Sequence, residues 1–272
     1  TGGEPLLRKD LHRLVERLAI IGSLKELCLT TNGAMLDEQA SLLKAAGLKR
    51  INVSLDTLDP EKFTRIVKRG NLAKVLEGLF AAQTQGFDSI KINTVVERGV
   101  NDDEIISLLE FSRSHGFDIR FIEYMDVGNS NSWRSQKMVS KEEILDRIGS
   151  VFSITEVGRD RGRAPAVDYR FAKGGGGVGV IASVTEPFCG GCSRARLTAD
   201  GKFVTCLFSG VEHDLKTPMR AGASDRELQE RVISIWNRRR DRYSESRLEA
   251  LHSQQGYRAE DHKKIEMISL GG

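Results

Sequence analysis

The chain has little cysteine, little net charge and no long apolar run, and each shortage removes a class of function. Four cysteines in 272 residues are too few for a disulfide-stapled secreted scaffold. A net charge of +3 is too small to imply a nucleic-acid partner and at most suits a local pocket for an anionic ligand. No apolar run approaches the roughly 18–20 residues that a membrane span needs, and no signal-peptide pattern opens the chain. Neither nucleic acid nor membrane is therefore expected as a partner. The phosphate-cradling pattern GxxxxGK[ST] is missing too, and no GxGxxG stands between a strand and a helix start. The tetraglycine run at 174–177 has no helix start beside it and reads as a flexible hairpin. There is no internal repeat. An initiator Met is lacking, as is a strand before the opening TGGEP, so truncation at the N-terminus is expected.

What is present describes a soluble globular protein, with 39 % hydrophobic and 29 % charged residues. The first half alternates short β-rich runs at 24–29, 50–55, 90–96 and 119–124 with amphipathic helices. Leu11, Leu14, Val15 and Leu18 follow helical spacing, as do Ile105, Leu108, Leu109 and Ser112. A helix over 37–46 would have Asp37 as its N-cap and Gly47 as its stop. Successive βα units produce strand starts at such intervals, so a curved or closed parallel barrel is expected, with an open doubly wound sheet as the alternative. Residues 126–140 read as a linker, and Ser140 with Glu143 forms a capping box. Short strand-like pieces follow, and then a helix around 226–236.

In βα barrels functional groups collect at the carboxyl ends of the strands. Those ends carry GGEP at 2–5, Thr30 to Gly33, then Asn52, Ser54 and Asp56, then Lys91 and Asn93, then Glu123 to Met125. Alternation places each of these strand sets on one face. Such a polar face either holds a ligand or meets solvent, and periodicity alone does not choose.

Three of the four cysteines lie within eighteen residues, as Cys189, Cys192 and Cys206 in a C-x2-C-x13-C spacing. That spacing suggests a metal site, hence a reducing, cytoplasmic setting. A structural zinc would need a fourth ligand, which His213 could supply. An iron–sulfur cluster would take the three thiolates and leave one iron open. Arg194 and Arg196 beside Cys192 could offset thiolate charge or grip a phosphate, each charge-assisted bond contributing about 1.5–3 kcal/mol. Cys28, in an apolar run, reads as core.

Taken in order, GGEP, LTTNG, RINVSLDTL, KINTVVERGVND, RFIEYMDVG, CGGCSRAR and the terminal Gly-Gly resemble the GTP 3',8-cyclase family. This is the radical S-adenosylmethionine (radical SAM) family that opens molybdenum cofactor biosynthesis, and the likeness runs from residue 1 to residue 272. It implies an α/β fold: an incomplete parallel (β/α) barrel of radical SAM type, then a smaller α+β domain carrying an iron–sulfur cluster. The barrel would occupy 1–130, the second domain 131–250 and a tail 251–272. By the same resemblance Cys189, Cys192 and Cys206 hold a second [4Fe–4S] cluster whose free iron binds the guanine of GTP. Thr30, Lys91, Arg194, Ala195 and Arg196 contact GTP. Gly3, Ser54 and Met125 contact S-adenosylmethionine, and Gly271 and Gly272 enter the active site and assist catalysis.

The implied reaction takes the ribose C3' hydrogen of GTP and joins C3' to C8 of guanine. The family's first cluster motif, CxxxCxxC ahead of GGEP, does not occur in this sequence. The first cluster and the activity are therefore expected of an intact parent and not of this fragment alone. The resemblance also implies an unidentified reductant protein, a downstream cyclic pyranopterin monophosphate synthase, and leaves a homodimer possible. A peptide-modifying radical SAM enzyme with an auxiliary cluster, and a non-catalytic zinc or iron–sulfur module, are the competing readings.

Overall fold

The computed structural model describes residues 2–162, 164–253 and 257–270. Two compact units share the chain. Glu4–Tyr124 and Gln136–Ala182 form a sheet unit; Thr1–Gly3, Met125–Ser135 and Ser183–Gly272 form the other, which carries the cysteines.

The sheet unit opens with α1 (Leu11–Ala19), then β1 (Cys28–Thr31), α2 (Leu36–Ala45), β2 (Arg50–Ser54), α3 (Pro60–Val67), α4 (Leu72–Thr84), β3 (Ser89–Val96), α5 (Ile105–Ser114) and β4 (Asp118–Glu123). After residue 135 the chain adds α6 (Lys141–Gly149), β5 (Ile154–Gly158), β6 (Val167–Phe171) and β7 (Gly177–Ile181). These strands make one seven-stranded sheet in the order β1-β2-β3-β4-β7-β6-β5. The first five in that order are parallel, while β7–β6 and β6–β5 are antiparallel. The fold is thus mixed α/β with a mostly parallel sheet.

Local chemistry explains the helix starts. Asp59 accepts from the amides of Glu61 and Lys62 at 2.8 and 2.9 Å, with Pro60 pre-set at the first helical position of α3. Asn71 caps α4, and the Ser140–Glu143 capping box is present on α6. The core is one apolar cluster in which Ile51, Val53, Ile92 and Phe121 are sealed from solvent. All four helical-period residues of α5 are buried, and the Ser112 hydroxyl donates to the Leu108 carbonyl at 2.9 Å.

Three local expectations need correction. The first strand starts at Cys28 instead of Leu24: its register with β2 begins at the Cys28–Arg50 pair, and ahead of that pair the Leu27 carbonyl accepts from the Lys49 amide at a long 3.4 Å. Cys28 is exposed, not core, because its strand ends the sheet order; Arg50 Nη2 donates to its sulfur at 3.4 Å. Asp37 does not cap α2; Met35 holds that place, and the acid sits inside the first turn, where it complements the helix dipole. The tetraglycine does join two antiparallel strands, β6 and β7.

The cysteine unit is lighter in regular structure. It has a three-stranded antiparallel sheet of β8 (Arg196–Leu197), β9 (Lys202–Val204) and β10 (His213–Asp214), followed by α7 (Lys216–Arg220), α8 (Asp225–Asn237), α9 (Tyr243–His252) and α10 (Met267–Leu270). A second capping box, Ser224 with Glu227, starts α8. Among the described residues no helix is long and apolar enough to cross a membrane.

Candidate functional site

Parallel register lines up the polar residues of the sheet unit. Thr30 pairs with Asn52, Asn52 with Lys91 and Lys91 with Asp118; one step on, Ser54 pairs with Asn93 and Asn93 with Arg120. Strands about 4.8 Å apart therefore carry two adjacent polar rows across one face. Their alternate neighbours Ile51, Val53, Ile92, Ile119 and Phe121 are buried on the other. Within the rows the Asn52 amide donates to Thr30 Oγ1 at 3.1 Å, and Lys91 Nζ lies 3.5 Å from Asp118. Asn52 Oδ1, Asn93 Oδ1 and Arg120 Nε are buried without a hydrogen-bond partner. Unmet buried polar atoms are costly unless something else meets them. Such a face can accept a polar ligand.

Part of that face opens into a cavity of about 430 Å³ whose lining includes Lys91, Asp118, Arg120, Asp168, Arg170 and the glycines 174–177. The tetraglycine turn is thus part of a pocket wall, anchored where the Gly177 amide donates to Asp118 at 3.0 Å. Burial pushes the Arg120 pKa down, Asp168 and Asp118 offset this, and Arg50 adds to it. Sequence reasoning missed Arg120, although the alternation around Ile119 and Phe121 put it on the polar face. Asp168 and Arg170 came from a region with no recognisable pattern.

Glu4 of GGEP is bolted to the end of β1. Its carboxylate accepts from Thr31 Oγ1 at 2.6 Å, the Asn32 amide at 2.8 Å and the Leu6 amide at 3.0 Å. Ser54 is exposed at the end of β2. Glu123, by contrast, is fully buried, and its carboxylate accepts from the Lys141 amide at the start of α6, which is a structural task.

In the other unit Cys189 opens a 3-10 turn, Cys189–Gly191, closed by the Cys192 amide donating to the Cys189 carbonyl at 3.1 Å. Cys206 follows β9. All three thiols are free and partly exposed. Arg194 Nε lies 3.2 Å from Cys192 Sγ, and its guanidinium sits 4.8 Å from the Phe188 ring centre. Burial opposes ionisation of Cys192, but bonds and charge from Arg194, with help from Arg239, hold its pKa below the ordinary thiol value. Cys206 lies deeper, and burial pushes its pKa up. Arg196 in β8 is desolvated, which lowers its pKa, with Arg194 acting the same way against Cys206 and Cys192. Ala195 is exposed between the two arginines.

Among the described residues no three His, Cys, Asp or Glu side chains cluster tightly enough to hold one metal ion, and His213 is paired with Phe203 across β9 and β10. Three free, partly exposed thiols beside guanidiniums offer the thiolate donors that zinc and iron–sulfur clusters both take.

Met125 precedes a loop that sequence reasoning read only as linker. Asp126 in this loop is fully buried, ion-paired to Arg247 and to Lys264 at 3.1 Å, and accepts hydrogen bonds from Tyr243 and Tyr257. Gly3 has φ +63, and its amide donates to the Ile268 carbonyl at 2.6 Å. Gly271 and Gly272 lie outside the described residues.

Two family models match this chain. The Radical SAM superfamily covers residues 1–112, and Molybdenum Cofactor Synthesis C covers residues 117–245. A parallel-rich α/β sheet followed by a cysteine-bearing segment accords with a radical SAM protein of molybdenum cofactor synthesis. Curated relatives named GTP 3',8-cyclase align with the whole chain. The one from Acidothermus cellulolyticus is 45 % identical over 292 residues, 80 % of its own length. Those from Xanthomonas campestris pv. campestris and Aquifex aeolicus are each 43 % identical over 273 residues, covering 78 % and 79 % of theirs. The chain belongs to the GTP 3',8-cyclase family, a family of radical SAM lyases that implies [4Fe–4S] chemistry and S-adenosylmethionine.

Proposed function

We propose that this chain serves the conversion of GTP to (8S)-3',8-cyclo-7,8-dihydroguanosine 5'-triphosphate, the first step of molybdenum cofactor biosynthesis. The observation that carries the reading is the doubled polar row Thr30–Asn52–Lys91 and Ser54–Asn93–Arg120, with its unpaired buried polar atoms. In the sheet unit Thr30 and Lys91 contact the nucleotide, and Arg120 meets its phosphates with a fixed fork of donors. Ser54 contacts S-adenosylmethionine.

In the other unit Cys189, Cys192 and Cys206 hold a second [4Fe–4S] cluster with one iron open to the guanine. Arg194, Ala195 and Arg196 line the nucleotide, and Gly3 and Met125 contact S-adenosylmethionine. Gly271 and Gly272 assist catalysis. Iron–sulfur and S-adenosylmethionine chemistry would supply the radical that takes the C3' hydrogen atom. The C3' radical then bonds to C8, and one electron from the reductant with one proton at N7 completes the 7,8-dihydro product. The residues named here bind and orient the nucleotide so that these two carbons face each other. By division of labour, 1–130 is the radical SAM part, 131–250 the cluster-bearing part and 251–272 the tail. The product passes to a cyclic pyranopterin monophosphate synthase.

Iron, sulfide and zinc content of anaerobically reconstituted protein tests this, with electron paramagnetic resonance of the reduced sample before and after GTP. About four irons bound by Cys189, Cys192 and Cys206, and a spectrum that GTP perturbs, are expected. One zinc, no iron and no response to GTP would leave a structural metal module instead.

A further inference from the structure

The charged run from Arg238 to Arg242 reads as a solvated surface, yet its members are not alike. The Arg242 side chain is 70 % exposed and that of Arg239 only 11 %. Arg239 Nη1 donates to the Cys192 carbonyl at 2.6 Å, and its Nε donates to Asp241 Oδ2 at 3.0 Å. The same Asp241 oxygen accepts from the buried Thr205 hydroxyl at 2.6 Å, one residue before Cys206. Glu245 Oε1 accepts from the Gly190 amide at 3.2 Å, one residue after Cys189. The Tyr243 ring stacks on Phe208, two residues after Cys206, at 4.7 Å between centres. The Arg239 guanidinium is backed by Trp236, 4.8 Å from the ring centre.

We propose that Arg239–Glu245 is a bracket that fixes the three cysteine-bearing segments relative to one another, with Arg239 and Asp241 as its central positioning residues. One short stretch thus reaches the backbone of Cys192, the neighbour of Cys206 and the neighbour of Cys189. A rigid cluster needs its thiolates placed in advance, and cysteines seventeen positions apart in sequence gain nothing from local backbone geometry. The Arg239–Asp241 pair supplies that placement by joining the Cys192 carbonyl to the Thr205 hydroxyl through two side chains. The inference rests on the reading that these cysteines hold a cluster, but the bracket itself exists without metal.

The test uses the whole chain, apo and anaerobically reconstituted, as wild type, Arg239→Ala, Arg239→Lys, Asp241→Ala and Arg238→Ala. The last is a control outside the bracket, since the Arg238 side chain donates within its own helix turn, to Ser234. Two quantities are read: the rate of iron loss to a chelator, and the iodoacetamide alkylation rate of each cysteine in the apo protein, resolved by mass spectrometry. Arg239→Ala and Asp241→Ala are expected to lose iron about ten- to a hundred-fold faster. They should also change the alkylation rates of Cys192 and Cys206 together. Arg239→Lys, which keeps a donor, should recover part of the effect, and Arg238→Ala should match wild type. If Arg239→Ala does not fold, Thr205→Val removes only the donor to Asp241 and carries the same expectation. Wild-type iron retention and alkylation rates in Arg239→Ala and Asp241→Ala would overturn the bracket while leaving the cluster reading intact. A wild-type chain that takes up no iron, with alkylation still shifted by the variants, would support the bracket and remove the cluster.

Discussion

Asp126 and Arg247, 121 positions apart in the sequence, form an ion pair in which both side chains are sealed from solvent. Burial alone would push the Asp126 carboxyl up. Arg247, hydrogen bonds from Tyr243 and Tyr257, and Lys264 outweigh it and hold the carboxyl below its ordinary range. The Arg247 guanidinium also donates to the Ser183 carbonyl at 2.6 Å. Removing the anion leaves two buried cations facing each other, so Asp126→Ala is expected to destabilise this unit by about 3–5 kcal/mol. Trp133 lies 5.7 Å from Tyr257 between ring centres and can report the transition by fluorescence during denaturant unfolding. A loss below 1 kcal/mol would mean the pair is not the anchor of the loop that carries Met125.

Asp56 gives a pH prediction of the opposite kind. Burial pushes its carboxyl up to about 6 from 3.8, against a lowering hydrogen bond from the Val95 amide. The folded state therefore holds this proton longer than the unfolded chain does. Below about pH 4 both states are protonated and Asp56 costs nothing. As pH rises from about 4 to 6 the unfolded chain ionises first, and stability falls by something of the order of 2–3 kcal/mol before levelling off. Asp56→Asn keeps an oxygen for the Val95 amide and removes the charge. Its stability relative to wild type should rise between pH 4 and 7 in urea titrations; a constant difference would show that Asp56 titrates normally.

Gly78, in the middle of α4, is predicted not to tolerate alanine. A Cβ there would stand 2.4 Å from the Gly33 carbonyl oxygen and 3.0 Å from Leu36 Cβ. Gly33 itself has φ +78. Alanine would otherwise favour a helix by about 1 kcal/mol, but a backbone oxygen has nowhere to swing. Gly78→Ala should therefore lower stability by about 1–3 kcal/mol, measured by thermal or chemical unfolding. A stabilised variant would show that α4 can slide along α2 without cost.

Much of the sheet unit was legible because its signals are local. The period of α1 and α5, the Ser140 capping box and the alternation in β2 and β3 each lie within a few residues. Register was not legible. Nothing near Lys91 says that it stands opposite Asn52 and Asp118, yet that pairing turns scattered polar residues into a surface. Cys28 shows the limit from the other side, since an apolar run looks the same at a sheet edge as inside. The cysteine trio was plain as spacing, while its bracket at Arg239–Glu245 hid in a charge run whose members differ only in burial. Asp126 carried no sequence signal at all, because its partners are more than a hundred residues away.

Lys91 and Arg120 give the most direct prediction for the nucleotide. Both side chains line the cavity on the polar face, one row apart in register. A triphosphate held by both would lose a charge-assisted contact when either is removed, worth about 1.5–3 kcal/mol. Lys91→Ala and Arg120→Ala are each expected to raise the Kd for GTP by about ten- to a hundred-fold, read by equilibrium dialysis. Guanosine, which has no phosphates, should bind wild type and variants alike. Arg120→Lys should restore less than half of the lost free energy, because a point charge does not replace a planar fork of donors. Ionic strength separates charge from shape: the wild-type Kd should climb with salt more steeply than that of either variant. If GTP and guanosine lose affinity equally, these residues shape the face instead of gripping phosphate, and the triphosphate lies elsewhere.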